Sequence, residues 1–160
     1  MTKPLLRILY ATVSGTARQV AEAIALDCSD LPGGSADAVP IANMLETGPE
    51  VFDPAGPPLL LCVATTGSGD VPDDARMLFS GLQDAPRYLG GLRYALVALG
   101  DSSYGSTFCG GGSMFDAALL DLGAQRIGDA LRLDATEETE PEKAAVDWFR
   151  KTGLIDSTAS

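Results

Sequence analysis

The hydrophobic pattern along the chain alternates between two kinds of segment. Short apolar runs, typical of buried strands, are followed by segments in which apolar residues recur at helical spacing. The apolar runs predict strands at residues 5–10, 36–41, 58–64, 94–99 and 125–133. The helical spacing predicts helices at residues 16–27, 73–82, 114–122 and 139–149.

The predicted strands are too apolar to leave one face in water, so they indicate a parallel sheet covered by helices on both sides. Gly123 predicts the end of the third helix, and residues 139–142 predict a capping box with Pro141 in the first turn of the fourth. Ligands of such sheets lie at the carboxyl ends of the strands. The turns after the first, third and fourth strands are therefore the candidate site.

The turn after the first strand, residues 12–17, reads TVSGTA. Its three hydroxyls, its glycine and the free N–H groups of the following helix predict a phosphate site without lysine or arginine. The alternative is an ordinary helix start that is N-capped by Ser14 or Thr16. The turn lacks the glycine patterns of dinucleotide-binding and ATP-binding loops, so those ligand classes are disfavoured.

Small polar residues also follow the third and fourth strands. Residues 64–75 read ATTGSGDVPDDA, and residues 99–110 read LGDSSYGSTFCG. Gly67 and Gly69 clear side chains from the first of these turns, which predicts a group bound close to the backbone. Tyr104, an aromatic residue among serines, predicts a flat ligand stacked on its ring, and a core tyrosine is the alternative.

Composition narrows the function classes. The 160 residues suit one domain, and the absence of histidine excludes histidine-dependent hydrolases. Three widely spaced cysteines disfavour a zinc site or a disulfide framework. A net charge of −11 disfavours nucleic acid as a partner and indicates either solubility alone or attraction of basic partners. No apolar stretch suits a membrane span or a signal peptide, so a cytoplasmic protein is expected.

Three segments carry a family resemblance: YATVSGTA from residue 10, ATTGSGDVPDDA from residue 64, and LGDSSY followed by FC from residue 99. They look like the FMN-binding turns of flavodoxins, closest to those of the short MioC-like flavodoxins. They are also similar to the FMN domains of cytochrome P450 reductase and sulfite reductase flavoprotein. The resemblance implies a flavodoxin-like three-layer α/β sandwich with a five-stranded parallel sheet in the order 2-1-3-4-5. It also implies an FMN-binding domain over residues 1–152 and a C-terminal tail over residues 153–160.

The resemblance assigns a role to each turn. The first turn would hold the FMN phosphate, the other two would flank the isoalloxazine ring with Tyr104 stacked on one face, and Asp134 would lie near the flavin. The reductase-type domains usually have an aromatic residue where this chain has Thr66, so the second face would lack that stacking partner. The implied FMN-binding residues are Thr12, Val13, Ser14, Gly15, Thr16, Ala17, Ala64, Thr65, Thr66, Gly67, Gly69, Leu99, Gly100, Asp101, Ser102, Ser103, Tyr104, Phe108, Cys109 and Asp134.

The implied function is electron transfer through noncovalently bound FMN, between an NAD(P)H-dependent flavoprotein reductase and an acceptor protein. By the same resemblance, a flip of the Gly67–Ser68 peptide at the flavin edge would help to set the potentials. Two alternatives stay open: an FMN-dependent quinone-type reductase, and a non-flavin interaction module on the same fold.

Five aspartates would surround the flavin with negative charge and attract basic partners. They are Asp70, Asp73, Asp74, Asp101 and Asp134.

Overall fold

The computed structural model of the chain describes residues 5–13, 15–30, 39–65, 71–84, 86–100, 109–135 and 137–154. Within them, strands and helices alternate along most of the chain. The strands are β1 (Arg7–Ala11), β2 (Ile41–Asn43), β3 (Leu59–Val63), β4 (Arg93–Gly100), β5 (Gln125–Arg126) and β6 (Leu131–Asp134). The helices are α1 (Thr16–Ser29), α2 (Arg76–Asp84), α3 (Gly110–Asp121) and α4 (Pro141–Thr152). Short 3-10 helices cover Met44–Glu46, Pro49–Val51 and Asp73–Ala75.

The described strands pair in parallel in one sheet. Their order is β2-β1-β3-β4-β5, and β6 also pairs with β4. This confirms the predicted order 2-1-3-4-5, with the fifth position shared by β5 and β6. The central strand β3 is buried along its whole length because helices cover both of its faces. Its sequence LLLCV is therefore apolar at every position.

The two faces of the sheet carry separate hydrophobic cores. Successive residues of β3 point to opposite sides, so Leu60 and Cys62 pack with residues of α1 and α4. Leu59, Leu61 and Val63 pack instead with residues of α2 and α3. The chain thus forms three layers, with the sheet between two pairs of helices, as the alternating pattern predicts.

The second strand lies later in the chain than predicted. Its predicted range is 36–41, of which 36–38 lie outside the described residues, whereas β2 covers Ile41–Asn43. Pro40 has no N–H to donate, so the pairing with β1 begins at its carbonyl oxygen. That oxygen accepts the N–H of Ile8 at 2.9 Å.

The fifth strand is not the single segment predicted at residues 125–133. It is broken around Gly128, which has a φ of +78°. A left-handed residue cannot continue an extended strand, so the pairing with β4 stops after Arg126 and resumes at Leu131. The prediction of one continuous strand is therefore wrong in this detail.

The third helix begins earlier than its hydrophobic pattern indicates. It starts at Gly110 instead of residue 114, directly after Cys109, which has a left-handed φ of 57°. Consecutive glycines at residues 110–112 hide this first turn, because glycine has low helix propensity. The predicted end is confirmed: α3 stops at Asp121, and Gly123 follows with a φ of +97°.

The fourth helix has Pro141 in its first turn, as predicted, but the predicted capping box is wrong. Its N-cap residue is Glu140, whose side chain makes no capping hydrogen bond. The Glu138 carboxylate instead accepts the backbone N–H of Glu140 at 3.0 Å. Across the described ranges, no helix has the length and apolar character needed to cross a membrane.

Candidate functional site

A cavity of about 500 Å³ opens at the carboxyl ends of β1, β3, β4 and β6, beside the first turn of α1. This is the sheet edge at which parallel α/β folds bind ligands, and the volume suits a small molecule or a cofactor. The lining residues are Thr12, Val13, Thr16, Ala17, Ala64, Thr65, Leu99, Gly100, Leu133, Asp134, Ala135, Glu138 and Pro141.

The turn between β1 and α1 is organised around Gly15. This residue caps α1 with a φ of +98°, a conformation that favours glycine. Its N–H donates to the Thr12 hydroxyl oxygen at 2.6 Å. Among the residues that the structure describes, a Cβ at residue 15 would meet nothing within 4 Å, so the backbone conformation is the feature that requires the glycine. The turn brings the N-terminus of α1 to the cavity, together with Thr12 and Thr16.

The Thr65 side chain connects the carboxyl ends of β3 and β4 to the start of α3. Its hydroxyl donates to the Leu99 carbonyl oxygen at 2.9 Å and accepts the N–H of Gly111 at 3.1 Å. Next to it, the N–H of Ala64 donates to the Ala11 carbonyl oxygen at 2.9 Å, which joins β3 to β1. Hydrogen bonds within the protein therefore fix three of the four strand ends that form the cavity.

The far wall of the cavity comes from the segment between β6 and α4. The N–H of Ala135 donates to the Gly100 carbonyl oxygen at 2.8 Å, which extends the β4–β6 pairing by one residue. The N–H of Glu138 donates to the Asp134 carbonyl oxygen at 2.8 Å. Two carboxylates, those of Asp134 and Glu138, thus belong to the residues of this wall.

Cys109, predicted to bind the cofactor, is fully buried at the N-terminal end of α3 and is absent from the cavity lining. Its thiol donates to the Ala98 carbonyl oxygen at 3.4 Å. Burial raises the pKa of this thiol to about 11, with a lowering contribution from Arg132 and a raising one from Asp134. The thiol is therefore protonated near neutral pH, which argues against a thiolate role.

The chemistry of the cavity fits FMN. Its described lining residues include no lysine or arginine, so an anionic group depends on hydroxyls, backbone N–H groups and the helix end. The first turn supplies such donors, and Ala64, Leu99 and Leu133 supply apolar wall for a ring. In the part of the chain that is described, no group of three or more His, Cys, Asp or Glu side chains could hold a metal ion.

Most of the predicted site residues that are described meet at this cavity. Gly15 and Cys109 are the two that do not line it, and Gly15 shapes the first turn from within. The other predicted residues lie outside the described ranges, so the stacking of Tyr104 and the flip at Gly67 stay predictions. Those residues are Ser14, Thr66, Gly67, Gly69, Asp101, Ser102, Ser103, Tyr104 and Phe108.

Four lining residues were missed by the sequence-based interpretation: Leu133, Ala135, Glu138 and Pro141. All four lie at or after the carboxyl end of the last strand. The same rule that selected the other turns applies to this one, since the carboxyl ends of parallel strands meet at one edge of a sheet. The low glycine and serine content of this segment made it less conspicuous than the other three turns.

A family model described as Flavodoxin matches residues 8–148 of the chain. Flavodoxin YqcA of Escherichia coli is 44% identical over 97 residues, which cover 61% of this chain and 64% of that protein, less than two thirds of its length. A MioC homolog of Pasteurella multocida is 34% identical over 147 residues, covering 89% of this chain and 91% of that protein.

Among solved structures, a mutant of flavodoxin from Pseudomonas aeruginosa is similar along almost the whole chain. The TM-score is 0.77 at 31% sequence identity, with 94% of this chain and 97% of that chain covered. The likeness agrees with the observed sheet order and with the helices on both faces of the sheet.

Proposed function

The chain belongs to the flavodoxin family, whose members bind FMN, and we propose from this that it carries electrons between protein partners through noncovalently bound FMN. The observation that carries the proposal is the cavity at the carboxyl ends of β1, β3, β4 and β6. Its apolar walls and its hydroxyl-bearing turn at the start of α1 suit the two chemically different ends of FMN.

Different walls of the cavity would hold different parts of the cofactor. Thr12, Thr16 and the N–H groups at the start of α1 would hold the phosphate by hydrogen bonds and the helix dipole. Ala64 and Leu99, at the ends of β3 and β4, would lie toward the ring. Bound FMN supplies the redox chemistry, and the protein supplies binding, orientation and the electrostatic environment.

The proposed partners are basic proteins, namely an NAD(P)H-dependent flavoprotein reductase as donor and a second protein as acceptor. The chain carries a net charge of −11, and Asp134 and Glu138 place carboxylates at the cavity itself. Such a field speeds the encounter with an oppositely charged surface, and dissolved salt screens it. The absorbance spectrum of the purified protein, with the released cofactor identified by mass, tests the first part of the proposal.

We expect one FMN per chain and no NAD(P)H oxidation until a reductase is added. The rate of transfer to a basic acceptor is expected to fall as ionic strength rises. A colourless protein that does not quench FMN fluorescence at micromolar concentration would contradict the FMN site and favour a non-flavin module. Rapid NAD(P)H-driven quinone reduction without a reductase would favour the small-molecule reductase. A salt-independent rate would show that the acidity serves solubility only.

A further inference from the structure

Asp74 forms a hydrogen-bonded link between three separate segments at the cavity edge. Its Oδ2 atom accepts the backbone N–H of Thr12 at 3.1 Å and the side-chain amide of Asn43 at 3.1 Å. Thr12 follows β1, Asn43 ends β2, and Asp74 belongs to the 3-10 helix that precedes α2. The link to Thr12 spans 62 residues of sequence and the link to Asn43 spans 31.

The surroundings of Asp74 hold its carboxylate in this place. Its neighbours Val71 and Ala75 are buried, and the N–H of Ala75 donates to the Pro72 carbonyl oxygen at 2.9 Å. On the other side, the Asn43 Oδ1 atom accepts the N–H of Leu45 at 2.7 Å. This bond orients the amide so that its nitrogen faces Asp74.

The link reaches the first turn at Thr12. Thr12 receives the hydrogen bond of Asp74 on its backbone, while its own hydroxyl oxygen accepts the N–H of Gly15 at 2.6 Å. Gly15 in turn is the N-cap residue of α1. Two hydrogen bonds thus connect the Asp74 carboxylate, through Thr12, to Gly15 at the start of α1. The N–H groups at this helix start are the donors proposed to hold a phosphate.

We propose that Asp74 is a positioning residue for the phosphate end of the cofactor. It fixes the backbone of Thr12 and, through the Thr12 hydroxyl, the position of Gly15, so that the donors at the start of α1 are in place before FMN binds. This inference rests on the proposed function. A negative charge beside a phosphate site repels the phosphate, so an Asp74 that acted through charge alone would weaken FMN binding. Positioning predicts the opposite sign, because loss of the carboxylate releases the turn.

The test compares FMN with riboflavin, which lacks the phosphate, in the full-length chain. Dissociation constants are measured by quenching of flavin fluorescence for the wild type, Asp74→Ala and Asp74→Asn. Asp74→Ala is expected to weaken FMN binding about tenfold and to change riboflavin binding far less. Both hydrogen bonds end on one oxygen atom, which an amide oxygen replaces, so Asp74→Asn is expected to keep most of the FMN affinity.

Asp73→Ala is the matched control for charge. Asp73 lies in the same 3-10 helix, its side chain is 92% exposed, and it pairs with Arg76 one turn along the chain. The Asp73→Ala substitution removes the same charge but no contact with the first turn. We therefore expect its FMN affinity to stay constant or rise slightly. If Asp74→Ala proves too unstable to purify, Asp74→Glu replaces it, because it keeps the charge but displaces the oxygen. Positioning then predicts weaker FMN binding by Asp74→Glu than by Asp74→Asn.

A second measurement does not depend on flavin. Hydrogen exchange of the Thr12 amide in the flavin-free protein is expected to be faster in Asp74→Ala than in the wild type or in Asp73→Ala. If the wild type binds FMN and Asp74→Ala binds it equally tightly, the positioning role alone is overturned. Equal losses of FMN and riboflavin affinity in Asp74→Ala would have the same consequence. A wild type that binds neither flavin would overturn the proposed function and this role together.

Discussion

Gly112 is a point of close contact between α3 and the sheet, and one added methyl group tests how much the fold depends on it. A Cβ at residue 112 would lie 2.5 Å from the Cβ of Ala98 and 3.1 Å from its Cα. Ala98 is buried in β4, and neither atom can rotate away because one is backbone and the other is bonded to it. Gly112→Ala must therefore move α3 or β4.

Two effects of this substitution oppose each other. Alanine is favoured over glycine in a helix by about 1 kcal/mol. An extra carbon in a packed core costs about 1–3 kcal/mol, and the contact of 2.5 Å places the cost at the upper end. We expect a net loss of about 2 kcal/mol in the free energy of unfolding. For a chain of this size, that loss lowers the Tm by about 4–8 °C.

Gly81 in α2 offers the matched control. A Cβ at this position would lie 3.7 Å from the Cβ of Pro49, an ordinary van der Waals distance. Gly81→Ala therefore gains helix propensity without a clash, and it is expected to raise the free energy of unfolding by up to about 1 kcal/mol. Urea and thermal unfolding, followed by circular dichroism, measure both variants under one set of conditions.

The clash at Gly112 also reaches the cavity. The N–H of Gly111 donates to the Thr65 hydroxyl, so a displaced α3 lengthens this bond and loosens the cavity wall. We expect weaker FMN binding by Gly112→Ala but not by Gly81→Ala. Ala98→Gly in the Gly112→Ala background removes the facing methyl and recovers part of the loss. A Gly112→Ala protein as stable as the wild type, or an equal loss in Gly81→Ala, would refute the reasoning.

Two further predictions concern Asp116 and Cys109. The Asp116 carboxylate accepts a hydrogen bond from the buried Tyr94 hydroxyl at 2.6 Å and forms an ion pair with Arg126. Asp116→Ala is therefore expected to lower the free energy of unfolding, measured by urea titration, by about 2–3 kcal/mol. Asp27→Ala breaks a more exposed pair and is expected to cost clearly less, and equal losses would contradict this ranking. In the folded protein the Cys109 thiol has a pKa of about 11, compared with an ordinary value of 9.0. The thiol therefore ionises at lower pH in the unfolded state, and the free energy of unfolding falls as pH rises from about 9 to 11. Cys109→Ala is expected to show a shallower fall in urea midpoint across that range, and an unchanged slope would exclude this thiol as a cause.

The sheet order and the place of the cavity follow from features that are local in the sequence. β3 reads as five apolar residues because it is covered on both faces, and the turn containing Thr65 follows it directly. The contact between Asp74 and Thr12 was not predictable in this way. The residues are 62 apart, and a hydrophobic pattern carries no information about which carboxylate reaches which backbone amide. The sequence predicts Asp74 at the start of a helix and as part of the negative charge around the flavin, but it does not predict this contact.

The start of α3 shows why a local rule fails at a functional site. Glycines at residues 110–112 each disfavour a helix by about 1 kcal/mol relative to alanine, so propensity predicts a loop there. The folded chain compensates through tertiary contacts, since Gly111 binds the Thr65 hydroxyl and Gly112 lies against Ala98. Larger residues would favour the helix but hold it farther from β4. The low propensity is therefore the consequence of bringing the start of α3 close to the strand ends that form the cavity.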